Sequence, residues 1–163
     1  MSADPARSPC RQGEQPSPVP APVPYLVWSE AYRMGDARID EDHERLLAEI
    51  NLLIDAINDD CKGAVLIGSL EHILEVGCAH HRREEALLEE MAYPALPDHR
   101  EEHRCLEDGM RALIARVAAH AIDDPAEIAT TVKEWFVEHV IGQDMRYKTY
   151  IEERDQEGNR PCP

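Results

Sequence analysis

The sequence predicts an all-α protein, an antiparallel up-down-up-down four-helix bundle with a disordered, proline-rich N-terminal tail. Four segments repeat apolar residues at spacings of three and four, the period of an amphipathic helix, and no segment alternates as a strand does. Of the 163 residues, 43% are hydrophobic but only 5% are aromatic, so an aliphatic helical core is favoured over a β-sandwich. The connections between the segments are short, and short connections make neighbouring helices antiparallel.

Residues 1–24 are predicted to form the disordered tail. The stretch "PSPVPAPVP" places proline at every second position, which prevents a helix and removes backbone hydrogen-bond donors. We interpret the tail as a spacer, and a peptide ligand for a partner domain is the alternative. One bundle domain is expected over residues 25–155, and residues 156–163 are expected to fray.

The first two helices are predicted at about 40–58 and 64–91. In each of them apolar residues recur three and four positions apart, which is the pattern of a helix with one buried face. The stretch "NDDCKG" ends the first helix, and Pro94 and Pro97 break the chain after the second.

The third and fourth helices are predicted from their start signals. Asp98 or a neighbour is expected to cap the third helix. The fourth begins with Asp124 as its N-cap, Pro125 at the first helical position and Glu127 three residues after the cap. It is expected to continue to about residue 153.

Charge and hydropathy exclude several classes of function. The net charge of −16 argues against nonspecific binding to nucleic acid or to anionic membranes, because both need a basic surface. No apolar run approaches the roughly 18 residues of a membrane-spanning helix, and no apolar signal segment is seen, so a cytoplasmic location is expected. The five cysteines are scattered, which indicates free thiols in a reducing compartment.

Polar residues interrupt the apolar stripes at positions that should face the core. These inward positions are His43, His80, Glu84, His99, His103 and His139. A spacing of four places His80 and Glu84 on one face of the second helix, and it places His99 and His103 on one face of the third. Buried imidazoles and carboxylates are costly unless they are paired or bind a metal. The set therefore predicts a metal site in the bundle core rather than five unrelated core histidines.

A step of five residues separates His139 from Asp144 on the fourth helix. On an ideal α-helix such positions lie about 140° apart, so they do not share a face. If Asp144 also points inward, the helix must be locally overlong, as in a π-bulge, and Gly142 would ease that distortion. The alternative is that Asp144 is a surface carboxylate.

The donor types indicate more than one metal ion. Five imidazoles and two carboxylates exceed what one tetrahedral zinc ion needs, and they suit two ions bridged by the carboxylates. Arg100 stands where the HExxH motif of zinc proteases needs glutamate, and the ExxH pairs of ferritin-like bundles are absent. Zinc or manganese is an alternative to iron, because imidazole and carboxylate accept several metals.

Four motifs resemble those of a single family. They are "IDEDH" (39–43), "HHRREE" (80–85), "YPALPDHREEH" (93–103) and "WFVEHVIGQD" (135–144). Between Trp28 and about Tyr150 the chain resembles the hemerythrins, most closely the single-domain bacterial members. The resemblance implies an antiparallel four-helix bundle around a non-haem centre of two iron ions that binds dioxygen reversibly.

The resemblance also implies a role for each inward position. His99, His103 and His139 would hold one iron, His43 and His80 would hold the other, and Glu84 and Asp144 would bridge them beside an oxo or hydroxo group. One coordination position then stays open on the iron with fewer histidines, and dioxygen binds there in this family. Glu85 would be an outward neighbour.

The wall of the ligand pocket is expected to include Trp135, Phe136, Val140 and Tyr147, each of which could equally be ordinary core. Two positions depart from the family. His81 stands where the family usually has phenylalanine; it either adds a titratable group to the pocket or lies in a helix seam or in solvent. Gly142 stands where the family often has a bulky aliphatic residue, so it either opens a path into the pocket or only permits the bulge.

The expected function is oxygen carriage, storage or sensing rather than catalysis. Sensing would need a separate protein partner, and the chain is expected to be a monomer or a small homo-oligomer. A di-iron oxidase or peroxidase is the first alternative, and His81 and Gly142 favour it. Iron storage or detoxification, or a structural bundle loaded with zinc or manganese, is the second.

Overall fold

The computed structural model describes residues 21–122 and 124–158, and within them it contains helices and no strand. The five α-helical segments are α1 (Ala37–Asn58), α2 (Ala64–Glu90), α3 (Leu96–Ala118), α4 (Pro125–His139) and α5 (Met145–Gly158). A five-residue π-helical segment, Val140–Asp144, joins α4 to α5, so these two form one continuous rod. Connections 59–63, 91–95 and 119–124 link the rods as neighbours, and the predicted all-α four-helix bundle is confirmed.

The two ends of the chain differ in how much of them is described. Residues 1–20 of the predicted tail lie outside the described residues, and residues 21–29 carry no helix. At the other end α5 continues to Gly158, into the segment that was expected to fray, and residues 159–163 lie outside the described part.

Side-chain caps explain where the first and last rods begin. Asp36 precedes α1 and accepts hydrogen bonds from the backbone N–H groups of Arg38 and Ile39, so the helix starts earlier than predicted. Asp124 caps α4 as predicted and accepts from the N–H of Ala126. The predicted cap of the third helix was wrong, because α3 already begins at Leu96 and the N-cap position is Ala95.

An aliphatic core fills the bundle, as the composition predicted. All four rods contribute side chains that are at most 2% exposed: Ile39, Ile50, Leu53, Ile54, Leu70, Leu88, Leu113, Ile128, Ala129, Val132, Val140 and Tyr147. Burial of such side chains is the main favourable term in folding, at roughly 25 cal/mol per Å² of apolar surface. The core therefore supplies the stability that holds any polar cluster inside it.

An extended segment, the strap (residues 23–26), lies along α1 in the opposite direction. Asn58 accepts from the N–H of Val23 and donates to its carbonyl, at 2.8 and 3.1 Å. Asn51 likewise accepts from the N–H of Leu26 at 2.8 Å and donates to its carbonyl at 2.9 Å. Lys133 of α4 donates to the carbonyl of Pro24 at 3.1 Å. The strap is thus fixed in register on α1 and is tied to α4 as well.

Two further expectations concern the thiols and the membrane. Cys61, Cys78 and Cys105 carry free thiols, as predicted, whereas Cys10 and Cys162 lie outside the described residues. Over residues 21–122 and 124–158, no helix has the length and apolar character that crossing a membrane requires.

Neighbouring leucines on α1 test the contribution of the core. Leu53 is fully buried and Leu52 is 58% exposed. Leu53→Ala should lower the free energy of unfolding by about 2–5 kcal/mol, because it leaves a cavity between the rods. Leu52→Ala should change it by no more than about 0.5 kcal/mol. Urea denaturation followed by circular dichroism measures both, and equal losses would contradict the core described above.

Candidate metal centre

The π-helical segment sets the position of Asp144 relative to His139. Both side chains are buried, and Asp144 Oδ1 lies 3.2 Å from His139 Nε2. An extra residue in one helical turn compensates for the step of five, so both side chains point into the bundle. The predicted bulge is confirmed, and the alternative of a surface carboxylate at this position is wrong.

All seven side chains of the predicted metal site come together in the bundle core, where none is more than 7% exposed. They form two groups, and within each group the donor atoms lie within 4.8 Å of one another. The first group is Glu84, His99, His103, His139 and Asp144, and the second is His43, His80, Glu84 and Asp144. The two carboxylates are shared, so the imidazoles divide into a set of three and a set of two.

The carboxylates lie between the two sets of imidazoles. Glu84 Oε2 accepts hydrogen bonds from His99 Nε2 at 3.0 Å and lies 3.1 Å from His103 Nε2. The same oxygen is 4.0 Å from His80 Nε2 in the other set. Asp144 spans the sets too, since its Oδ2 is 3.6 Å from His43 Nε2 while its Oδ1 faces His139.

Several donor atoms in this cluster have no hydrogen-bond partner in the described part of the chain. They are His43 Nε2, both ring nitrogens of His80, Glu84 Oε1 and both carboxylate oxygens of Asp144. An unpaired buried polar atom costs free energy. His80 Nδ1 is turned toward Asp42, but the other atoms belong to residues of the two donor groups. Cations bound there would satisfy them, so the donor set fits metal ions.

The pKa directions agree with a site that holds cations. Burial raises the pKa of Asp144 well above its ordinary value, and the neighbouring Glu84 carboxylate raises it further. Burial alone would raise the pKa of Glu84 as well, but hydrogen bonds from His103 and His99 bring it well below the ordinary value. Burial lowers the pKa of His43 to about 4 and that of His139 well below its usual range. These two imidazoles are therefore neutral and offer lone pairs, which is the form that binds metals. Burial would lower the pKa of His103 as well, but Glu84 and Glu85 raise it, so His103 would release a proton when a cation binds.

Acceptors on the outer side of the cluster orient three of the imidazoles. His43 Nδ1 donates to the carbonyl of Tyr32 at 2.8 Å, and His103 Nδ1 donates to Glu85 Oε1 at 2.8 Å. His80 Nδ1 lies 3.6 Å from Asp42 Oδ2. With Nδ1 turned outward, Nε2 of each ring faces the cluster, as metal-binding histidines require.

Arginines neutralise these outer carboxylates. Arg83 makes a bidentate pair with Asp42, at 2.7 and 2.5 Å, and Arg100 pairs with Glu85 at 3.2 Å. Sequence analysis missed Asp42 and treated Glu85 as an outward neighbour only. Asp42 directly precedes the predicted metal ligand His43, and Glu85 directly follows Glu84. Adjacency in the sequence alone does not show whether the side chain of such a neighbour contacts the site.

An apolar cavity of about 80 Å³ adjoins the cluster. Three of the predicted wall residues, Trp135, Phe136 and Val140, line it together with His80 and His139 of the cluster, His81, and apolar side chains that include Leu46, Ile50, Ile73 and Met110. The lining is mostly apolar, so the cavity disfavours water and suits a small apolar ligand.

For Tyr147 and Gly142 the structure agrees with the second of the two alternatives, ordinary core and a residue that only permits the bulge. Tyr147 does not line the cavity; this fully buried residue packs its ring 5.8 Å from that of His99. Gly142 does not line it either, because it is exposed in the π-helical segment and a methyl group there would meet nothing within 4 Å. Gly77 lines the cavity, and Gly109 packs against one of its wall residues, since a Cβ atom there would come within 3.3 Å of the Trp135 ring.

His81 is buried, lines the cavity and also lies in the seam between α2 and α3, so only the alternative placement in solvent was wrong. Its ring stacks on that of His103, with centroids 3.9 Å apart and an angle of 8° between the planes. Burial, followed by the nearby His103 and His80, lowers the pKa of His81 to about 3. It belongs to neither group of donors described above.

Comparison with known proteins identifies the family. The family described as "Hemerythrin HHE cation binding domain" matches residues 34–151, which is more than half of the chain. The chain belongs to the hemerythrin family. The resemblance carried by the four motifs is thereby confirmed, and with it the presence of a cation-binding domain.

Several relatives match over nearly their full length. "Bacteriohemerythrin" of Ralstonia nicotianae is 31% identical over 136 residues, covering 81% of this chain and 93% of the relative. "Myohemerythrin-1" of Phascolopsis gouldii is 27% identical, with 80% and 98% covered. "Hemerythrin-like protein" of Naegleria gruberi is 28% identical, with 80% and 94% covered. The similarity therefore spans the whole bundle rather than one motif.

Removal of bound cations should destabilise this hemerythrin-family protein. The unpaired donor atoms regain partners only when a cation is bound, so a cation at about 100 times its Kd should raise the free energy of unfolding by about 2.7 kcal/mol. Thermal unfolding before and after treatment with a chelator measures this gain. His99→Ala should reduce it, whereas His72→Ala, on a histidine whose side chain is 46% exposed, should not. An equal gain in both variants would place the cations elsewhere.

Proposed function

We propose that the protein binds dioxygen reversibly at a centre of two non-haem iron ions in the bundle core. One iron would be held by His99, His103 and His139, the other by His43 and His80, and both by the bridging carboxylates Glu84 and Asp144. The single observation that carries this proposal is the pair of donor groups that share two carboxylates beside an apolar cavity.

The chemistry of the donors supports iron in both positions. All seven donors are imidazole nitrogen or carboxylate oxygen, and such sets suit iron as well as zinc and manganese. Membership of the hemerythrin family favours iron among these. Two iron(II) ions supply, when bound, the two electrons that reversible binding of dioxygen requires.

The protein's own residues direct the ligand toward one of the two ions. His80 belongs to the set with two imidazoles and also lines the cavity. The ion in that set receives one imidazole fewer than its neighbour, so it has the position that the protein leaves free. A ligand in the cavity would therefore approach the iron held by His43 and His80.

The size and polarity of the cavity support binding over the oxidation of an organic substrate. An apolar cavity of about 150 Å³ is large enough to hold benzene. The cavity here is about 80 Å³, so it favours ligands smaller than an aromatic ring. Apolar walls formed by Phe136 and Val140 would exclude water, and with it a source of protons, from the space beside the proposed iron centre.

A di-iron oxidase or peroxidase is the second candidate, and one observation favours it. His81 places an imidazole in the cavity, where a carrier would need only apolar side chains. Iron storage is less well supported, because the donors form one enclosed cluster rather than an open chamber. We also propose a cytoplasmic location, which rests on the free thiols Cys61, Cys78 and Cys105.

Optical spectroscopy on the iron-loaded protein separates these functions. The reduced protein, prepared without air, should gain a visible absorption band on exposure to oxygen and lose it again under vacuum. Reversal over several cycles supports carriage, storage or sensing of oxygen. Direct and irreversible passage to the spectrum of the oxidised protein would contradict reversible binding and favour the oxidase.

Iron content tests the bridging role of Glu84. Glu84→Ala removes a carboxylate that belongs to both donor groups, so at least one of two iron ions should be lost per chain. Glu89→Ala, five residues further along α2 on a side chain 69% exposed, should keep both, and so should His81→Phe. Elemental analysis of each purified variant gives the ratio of iron to protein. Equal iron in Glu84→Ala and the parent would disprove the assignment.

A further inference from the structure

His81 and His103 form a reciprocal arrangement across the seam between α2 and α3. Each helix carries a histidine followed four residues later by a glutamate, His81 and Glu85 on α2 and His103 and Glu107 on α3. His103 Nδ1 donates to Glu85 at 2.8 Å, and His81 Nδ1 donates to Glu107 at 3.2 Å. Each histidine is thus held by the glutamate of the opposite helix, with the two rings stacked between them.

An arginine completes each half of the arrangement. Arg100 pairs with Glu85 at 3.2 Å, and Arg111 pairs with Glu107 at 2.9 Å. Hydrogen bonds from His81 and Arg111 outweigh the effect of burial and lower the pKa of Glu107, so its carboxylate is ionised. His81 therefore has the same chain of imidazole, carboxylate and guanidinium that orients His103.

The difference between the two histidines lies at Nε2. In His103 this nitrogen faces the metal cluster, 3.1 Å from Glu84 Oε2. In His81 it takes no hydrogen bond from any residue in the described part of the chain, and the ring lies against the cavity. Because Nδ1 carries the proton that Glu107 accepts, Nε2 carries a lone pair.

Glu107 also lines the cavity, but both of its carboxylate oxygens already accept hydrogen bonds, from His81 and from Arg111. Leu46, Ile50 and Phe136 are apolar, and burial raises the pKa of the Cys78 thiol to about 11, so the sulfur stays protonated at neutral pH. The side chain of His81 is 11% exposed, so its ring has little contact with solvent. A polar atom that lacks a partner in the chain can be satisfied by a ligand that donates a hydrogen bond.

We propose that His81, held by Glu107, is a hydrogen-bond acceptor in the cavity and gives small ligands that donate a hydrogen bond, such as hydrogen peroxide, a contact that ligands without a proton lack. This inference rests on the proposed function, because the ligand lies beside the proposed iron centre. It goes further by assigning a ligand class and the residue that selects it. His81 acts by binding the ligand, and no change in its own protonation is involved.

A pair of matched anions tests the selectivity. Azide and the hydrogencyanamide anion are linear, isoelectronic and similar in size, but only hydrogencyanamide carries an N–H group. Binding of each to the full-length, iron-loaded, oxidised protein is followed by the absorption bands that they produce. One hydrogen bond changes an affinity by roughly threefold to tenfold, so His81→Phe should lower the ratio of hydrogencyanamide to azide affinity by that factor.

Two further variants control for indirect effects. His81→Phe keeps an aromatic ring against His103. Glu107→Gln keeps both histidine rings and removes only the anionic acceptor of the His81 proton. The affinity ratio of Glu107→Gln should therefore fall between those of the parent and of His81→Phe. His72→Phe, at a half-exposed histidine, should retain the parent ratio. The same ratio in the parent, His81→Phe and Glu107→Gln would overturn the inference while leaving the iron centre intact.

The tautomer of His81 provides a readout that needs no metal. Long-range proton–nitrogen NMR of the metal-free, histidine-labelled full-length chain should place the His81 proton on Nδ1, with His81→Phe identifying the signal. A proton on Nε2 would overturn the inference. If neither anion produces a band on any variant, the proposed iron centre fails, and the tautomer still decides whether His81 presents an acceptor.

Discussion

The burial of ionisable side chains in one place is the constraint on which the rest of the structure depends. Seven imidazoles and carboxylates lie in the bundle core at exposures of 7% or less. Such groups are not stable in an apolar interior without partners, and the chain itself leaves six of their donor atoms unpaired. The aliphatic core must therefore hold these groups in place, and cations must complete them.

The charges of the centre are balanced from outside as well as from within. Three carboxylates connect imidazoles to arginines. Glu85 and Glu107 each accept a hydrogen bond from a histidine, and Asp42 faces His80. On its outer side each of the three carboxylates pairs with an arginine. This arrangement fixes the ring orientations before any ligand binds, which is the preorganisation that metal sites need. It also explains why a very acidic chain keeps arginines close to its most buried histidines.

Much of the fold and the site could be predicted from sequence, because both follow from helical periodicity. A period near 3.6 placed His43, His80, His99 and His103 on inward faces, and the one departure from it, between His139 and Asp144, predicted the π-helical segment that the structure contains. What failed depends on packing between helices. The sequence left open whether Tyr147 lines the cavity or is ordinary core, and whether Gly142 opens a path into it; neither residue lines the cavity. The roles of Asp42 and Glu107 depend on which side chains meet across a seam, which periodicity within one helix does not specify.

The strap has a geometric consequence for whatever precedes it in the chain. Three residues of extended chain, from Val23 to Leu26, cover about 10 Å, and the seven helical residues from Asn51 to Asn58 cover about the same length. The two asparagines are two turns of α1 apart, and their hydrogen bonds fix the position and the direction of the strap. His43 lies fifteen residues before Asn58, which is roughly 22 Å along the helix axis. The strap is consequently anchored at the end of the bundle remote from the candidate metal centre, so a partner bound to the chain that precedes the strap would lie at a distance from that centre.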